Sequence, residues 1–377
     1  MTGTRPKLED PDAELLEASA DQDMEEALSP RHLRVRLLQL AALVVVVVVL
    51  LLFGPGLGSV RSQLDHASAG WLALGAVLEL LSCLSYVIVF RAVFCARMSW
   101  GLSYQIGMAE QAANSLLPAG GAGGLALGVW ALRRRGLSAE HIGRRTVAFF
   151  LLTSVANVGT LIVFAALFAS GVIGGDTAPG LTYAFAAAGL VVTAVVLALP
   201  ALTTRRSGPD APQTKAGRIR VALRASRAAL SGGVRDSVAL LRRRSPGVLI
   251  GSFGYMGFDI AVLGVCFLAF GYTPNFGVLV VAYLIGQLGG LLPLPGGIGG
   301  IEGGLIGAFV LYGIPAAPAT VAVLAYRVLA LWLPAILGSL AFVRLRSTLR
   351  QPQDDAAALC EPLADPIRDV RVPARSA

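Results

Sequence analysis

The sequence predicts an all-α polytopic membrane protein with six full crossings, two Pro/Gly-broken re-entrant helical hairpins and an inverted-topology repeat. Three observations lead there. The first is composition: 55% of the 377 residues are A, V, I, L, M, F, W, Y or C and only 14% are charged. Mean hydropathy is +0.70, whereas a water-soluble domain carries about 25% charged residues. The second is a series of apolar runs, most of them long enough to cross a ~30 Å hydrocarbon core. The third is the placement of arginines on alternate sides of those runs, as cytoplasmic loops require.

Composition also narrows function. The net charge of +8 is unevenly placed, with nine of 23 acids in residues 1–30, five in 351–377, and 11 of 31 basic residues in Thr203–Pro246. Basic charge beside apolar spans fits anionic headgroups; no fold signal supports nucleic acid as a partner. Cys83, Cys95, Cys266 and Cys360 show no metal-ligand spacing and read as small apolar residues. His32, His66 and His141 are scattered, and there is no H-E-x-x-H, G-x-S-x-G or Walker loop. Zinc, serine-hydrolase and P-loop chemistry therefore lack their residues. No metal or cofactor is expected, and no catalytic constellation argues for an enzyme.

In chain order, residues 1–36 read as an acidic cytoplasmic tail with Pro6, Pro11 and Pro30. Residues 37–69 hold a first, uncleaved span, Leu37–Phe53, and an outer loop. The run starts too late for a signal peptide, and no convincing cleavage site follows. Residues 70–202 form a first repeat, with spans Gly70–Phe90 and Val147–Ser170, an extra span Leu181–Leu202, and a hairpin over 102–132. Residues 203–246 form a basic cytoplasmic connector. Residues 247–346 form a second repeat, with spans Gly247–Phe270 and Thr320–Val343 and a hairpin over 277–313. Residues 347–377 are a cytoplasmic tail.

The two hairpins are apolar but interrupted, at Leu116–Gly124 (LLPAGGAGG) and Leu291–Gly300 (LLPLPGGIGG). Proline removes a backbone donor and glycine weakens a helix, so both stretches unwind. Two crossings and a turn need more than ~40 residues, so each hairpin is re-entrant. Unwound backbone at membrane depth is tolerated only inside protein or against water. Arg133, Arg134, Arg135, Arg144 and Arg145 place both ends of the first hairpin inside. The uncharged loop 271–276, with Arg344, Arg346 and Arg350 further on, places both ends of the second outside. The breaks are copies of one another, and Gly136-Leu-Ser-Ala and Gly313-Ile-Pro-Ala follow them at nearly equal distance. Like units in opposite orientation are the inverted repeat of secondary transporters, whose substrates bind where broken helices meet.

Several ionisable groups fall within apolar segments: Glu79, Glu110, Asp259, Glu302 and Arg327. Each is costly in hydrocarbon and needs a partner or a wet cavity. Glu79, Glu110 and Asp259 are ion or proton candidates; for Glu79 and Asp259, pairing that fixes helix register is the competing reading. Arg327 can pair with Glu302 or hold a lipid phosphate. Asn114, Gln111 and Gln287 either satisfy freed backbone groups or touch substrate. The candidate substrate-binding set is Arg327, Glu302, Pro295, Gly296, Gly297, Gly299, Asn114, Pro118, Gly120 and Gly121. Arg218–Arg244 reads as an amphipathic helix, either in the cytoplasmic interface or as a solvated linker.

The stretch LPLPGGIGGIEGGLIGAFVLYGIP at 292–315, followed by Tyr326-Arg327, Trp332 and Pro334, resembles the lysylphosphatidylglycerol synthase transmembrane-domain family. The family's recurring P-G-G-(I/L)-G-x-x-E pattern and later Arg correspond here to Pro295, Gly296, Gly297, Ile298, Gly299, Glu302, Gly313 and Arg327. Asn114-Ser-Leu-Leu-Pro118, the glycines and Arg133-Arg-Arg-Gly136 resemble its other signature. The resemblance covers about 37–346. One departure is the Gly-Glu pair many members carry after the first Pro; here Gly123-Gly124 stand without an acid.

The resemblance implies membrane-lipid work. In multiple peptide resistance factor proteins such a domain precedes an aminoacyl-lipid synthase and is linked to flipping the modified lipid. The short tail after the last span leaves no room for that synthase, so the expectation is a stand-alone flippase-like lipid translocase. Its substrate is a phospholipid with an anionic or modified headgroup, and its setting is a bacterial plasma membrane with both termini cytoplasmic. Two alternatives stay open: an ion-coupled carrier of a small solute, and a non-catalytic partner of an envelope lipid or glycolipid-assembly enzyme. A homodimer also stays open.

Overall fold

The computed structural model describes residues 67–117, 122–170, 215–291 and 297–350, with Val35, Leu38 and isolated positions between 172 and 194. Two expected spans, Leu37–Phe53 and Leu181–Leu202, lie outside the described residues but for isolated positions, as do residues 1–34 and 351–377 of the two tails. Among the described residues all regular structure is helical. The helices are α1 (Ala69–Phe94), α2 (Trp100–Leu116), α3 (Ala122–Arg134), α4 (Ala139–Ala169), α5 (Lys215–Arg242), α6 (Pro246–Ala269), α7 (Phe276–Gly286), α8 (Gly300–Leu311) and α9 (Ala316–Arg350).

Four of these are long and apolar enough to cross a membrane: Ala69–Phe94, Ala139–Phe168, Pro246–Ala269 and Ala316–Arg350. Three exceed their expected bounds, α1 running on from Phe90 to Phe94. α4 starts before Val147 because the Ser138 hydroxyl accepts the His141 N–H and Glu140 sits in the first turn, a favourable N-terminus. α9 continues past Val343 to Arg350 and carries Pro334 inside it.

The interrupted segments are pairs of short helices. α2 has 17 residues and α3 has 13, about 25 and 20 Å at 1.5 Å per residue. α7 has 11 residues, continues as a five-residue 3-10 turn, Gln287–Leu291, and is followed by the 12 residues of α8. None reaches across a ~30 Å core alone. The same succession thus occurs twice: long helix, short helix, break, short helix, glycine turn, long helix. The glycine turns match in detail. Gly136 and Gly313 both have φ of 83°. Leu137 and Ile314 donate to Leu132 and Phe309, while Gly136 and Gly313 donate to Arg133 and Val310, the double closure of a Schellman motif.

The described helices gather into two compact units that alternate along the chain. One holds the described residues up to Val77, within Met108–Trp130 and within Val262–Arg344, and therefore the chain on either side of each break. Its centre is α9. A Cβ on Gly75 of α1 would lie 2.8 Å from Leu329, and a Cβ on Gly338 would run into the Met108 carbonyl of α2. Trp130 of α3 lies 6.3 Å from Phe342, and Phe267 of α6 meets Phe309 of α8 edge-on at 4.7 Å. Tyr326, Phe267, Phe309 and Leu305 are fully buried. Val328, Ile336, Leu340 and Val343 of α9 are exposed, an outward apolar stripe suited to acyl chains.

The other unit holds Leu78–Gly107, Ala131–Ala261 and residues from Leu345. Its tightest contact is the crossing of α1 and α6. Cβ atoms on Gly247, Gly251 and Gly254 would lie 3.0 Å from Ala92, 2.6 Å from the Val89 nitrogen and 2.7 Å from the Ser85 hydroxyl. The Ser82 hydroxyl donates to the Tyr255 carbonyl at 3.1 Å. Numbers rise on α6 as they fall on α1, so the helices cross antiparallel. Glycines at one-turn spacing bring two backbones together where lipid offers no hydrophobic drive. Gly251→Ala is expected to lower stability by about 2 kcal/mol through overpacking, read as an earlier thermal midpoint in detergent. An unchanged midpoint would mean that the crossing yields.

Candidate functional site

The second break is built around one carboxylate. Gly297 and Gly299 adopt φ of 67° and 85°, left-handed geometry that suits glycine, and α8 starts at Gly300. Glu302, in the first turn of α8, accepts the Gly299 N–H with Oε2 at 2.6 Å. Its Oε1 accepts Arg327 Nε–H from α9 at 2.7 Å, with side-chain exposures of 16% and 11%. A carboxylate at a helix N-terminus satisfies an orphan donor and meets the positive end of the helix dipole. Glu302 therefore holds the end of the break and the guanidinium together. On the other side of the break, Gln287 Nε2–H donates to the Tyr326 hydroxyl at 3.3 Å. Adjacent residues of α9, Tyr326 and Arg327, thus grip the chain before and after the interruption. Because α9 begins at Ala316, Arg327 lies about 16 Å along its axis.

Glycines let the two arms of this hairpin touch backbone to backbone. A Cβ on Gly289 would collide with the Gly300 carbonyl, one on Gly286 would reach within 2.9 Å of the Leu305 Cα, and one on Gly304 within 2.8 Å of the Gly286 oxygen.

The first break has its own closure. Asn114 Oδ1, near the end of α2, accepts the Gly124 N–H of α3 at 2.8 Å. Asn114 therefore satisfies a freed backbone group, one of its two sequence readings. The Glu110 carboxyl is buried against Gly128, whose added Cβ would collide with it. Asn114→Ala is expected to cost about 1 kcal/mol, as loss of a cap does, and to speed amide exchange at Gly124. Unchanged exchange there would show that the bond does not hold α3.

Glu79 and Asp259 lie in the other unit. Both are buried. The α1–α6 register that sets Gly254 against Ser85 and Tyr255 against Ser82 brings Asp259 level with Glu79. Both acids lie within electrostatic reach of Cys83 and Tyr255, and Cys83 Sγ donates to Glu79 Oε1 at 3.8 Å.

The structure thus brings Glu302, Arg327, Gly297 and Gly299 together, Asn114 and Glu110 onto the first hairpin, and Glu79 and Asp259 onto one helix crossing. Pro118, Gly120, Gly121, Pro295 and Gly296 lie outside the described residues. No group of three metal-ligating side chains occurs among the described residues. Sequence reasoning missed the Gln287–Tyr326 link and the α1–α6 crossing. The spacing of Gly247, Gly251 and Gly254 was the signal for the latter.

A family model described as the lysylphosphatidylglycerol synthase TM region matches residues 39–338. The chain belongs to this family. The match takes in both breaks, Glu302 and Arg327. Two proteins named UPF0104 membrane protein, both from Methanothermobacter thermautotrophicus, are similar over shorter stretches. One is 35% identical over 75 residues, 20% of this chain and 22% of that relative. The other is 38% identical over 93 residues, 24% of this chain and 26% of that relative. Each match covers about a quarter or less of the relative's length. As a lysylphosphatidylglycerol synthase TM-region protein with four apolar helices of spanning length, the chain is a membrane protein. Its Glu302–Arg327 pair joins two elements of the motif that carried the resemblance.

Proposed function

We propose that this protein is a lipid translocase that moves a phospholipid with an anionic or modified headgroup across a bacterial plasma membrane, without catalysing a covalent step. The observation that carries the reading is Arg327, held by Glu302 beside the Gly297 and Gly299 turn about 16 Å along α9. A guanidinium offers several N–H donors in a fork that matches phosphate oxygens. Such a charge is costly in hydrocarbon, and paired intramembrane charges commonly mark substrate or ion paths. The headgroup passes between the hairpins while the acyl chains stay in lipid. Glu302 sets the guanidinium's position and balances its charge between passages.

Topologically the proposal is six crossings and two hairpins entering from opposite sides, with both termini cytoplasmic. The repeated succession of elements and the antiparallel crossing of α1 and α6 support an inverted repeat, since two units related by an axis in the membrane plane place their first spans antiparallel. Glu79 and Asp259, level with each other at that crossing, are the proposed ion or proton site.

The test is reconstitution in liposomes containing a headgroup-labelled fluorescent phospholipid, with bleaching of outer-leaflet dye. Bleaching beyond half is expected, slowed at least tenfold by Arg327→Gln. Gly307→Ala, whose added methyl meets nothing within 4 Å, is expected to bleach as the parent does. Bleaching that stops at half in vesicles holding folded protein would refute transport of that lipid.

A further inference from the structure

The basic helix α5 has a use that the translocation reading does not need. It is anchored by one face. A Cβ on Gly143 of α4 would lie 3.5 Å from Ala229; Cβ atoms on Gly232 and Gly233 would lie 2.7 Å from Arg144 and 2.5 Å from Val147. Asp236 accepts from Arg144 at 2.9 Å and pairs with Arg145 at 3.7 Å. Two consequences follow. Val147 opens the apolar stretch of α4, and the arginines just before it end the polar part. The contact therefore fixes α5 at the depth where hydrocarbon gives way to headgroups. Asp236 is also the sole acid of α5, beside Lys215, Arg218, Arg220, Arg224, Arg227, Arg235 and Arg242. Its charge is consumed by α4, so the cations on the opposite side lack an acid of their own helix.

That opposite side is exposed and mixed. Arg235 and Arg242 are exposed, and between them Val238 and Leu241 are 38% and 37% exposed. The outward surface at this end of α5 thus carries Arg235 and Arg242 with the aliphatic Val238 and Leu241 between them.

We infer that this face of α5 is a binding surface for the anionic phospholipids of the adjoining leaflet. Arginines take phosphate oxygens, while Val238 and Leu241 dip into the acyl boundary. The site is separate from the hairpin path and independent of whether the protein transports lipid. α5 passes into α6, the helix that carries Asp259, through Arg244, at φ 45°, and Ser245.

The experiment uses the full chain with its four cysteines replaced by alanine and one cysteine at position 238 carrying an environment-sensitive dye. The protein is placed in vesicles of phosphatidylcholine with increasing phosphatidylglycerol. A blue shift that grows with phosphatidylglycerol, fades in high salt and is quenched by brominated acyl chains is expected. Arg235→Gln and Arg242→Gln are each expected to weaken the response about fivefold, the equivalent of ~1 kcal/mol per charge near an anionic surface. A dye that reports water at every composition overturns the inference. So does a shift present without phosphatidylglycerol that disappears when residues 1–30 are removed, since the acidic tail is then the occupant. Normal thermal unfolding of the variants shows that a lost response is not a lost fold.

Discussion

Arg327→Ala is expected to destabilise the protein by about 3–5 kcal/mol, because it strands a mostly buried carboxylate. Glu302, 16% exposed, keeps its bond to the Gly299 N–H but loses its cationic partner. Glu302→Ala is expected to cost as much by the opposite route, leaving a guanidinium in an apolar helix. The informative variant is the double one, Glu302→Gln with Arg327→Gln. It removes both charges while glutamine at 302 still offers an oxygen to Gly299. Its thermal midpoint is expected to recover most of the loss, since replacing a buried ion pair with neutral groups is often close to neutral. Its transport is not expected to recover, because the phosphate-binding cation is gone. Recovered stability with absent transport separates the two roles of the pair. A double variant that transports at the parent rate would remove Arg327 from the path.

Gly289→Ala is the second large effect. The added Cβ meets the Gly300 carbonyl, and neither backbone can rotate aside as a side chain would. The arms of the second hairpin must part, at a cost of about 3 kcal/mol, and the break that positions Gly299 and Glu302 opens with them. The matching control is Gly307→Ala in α8. Its Cβ faces open space, and alanine is the better helix former by up to ~1 kcal/mol, so the midpoint is expected to hold or rise. Thermal unfolding in detergent reads both. Equal midpoints for the two variants would mean that the close approach does not bear on stability.

Much was legible in the residues because the bilayer imposes one-dimensional rules. A span needs length and apolarity, a break needs proline or glycine, and a cytoplasmic end gathers arginine. These rules locate α1, α4, α6 and α9 from runs of apolar residues, and both hairpins from LLPAGGAGG and LLPLPGGIGG. The likeness of the two glycine turns was equally visible, because the left-handed φ of 83° that Gly136 and Gly313 share favours glycine. The pairing of Arg327 with Glu302 stood among the readings, since two opposite charges in hydrocarbon seek each other.

Other relations depend on how the helices pack. Asn114 was equally suited to a substrate or to a freed N–H until Gly124 came within 2.8 Å of it. Apolar periodicity made α5 an interfacial helix or a solvated linker alike; Asp236 on Arg144 and Gly233 against Val147 lodge it on α4. Glu79 and Asp259 become neighbours only because Gly247, Gly251 and Gly254 let α6 lie on α1 in one antiparallel register. Length, apolarity and helix breaks are properties of single segments against a uniform solvent, and the chain states them residue by residue. Which polar group answers which is set by helix crossings between residues far apart in sequence, where one turn of register exchanges every partner.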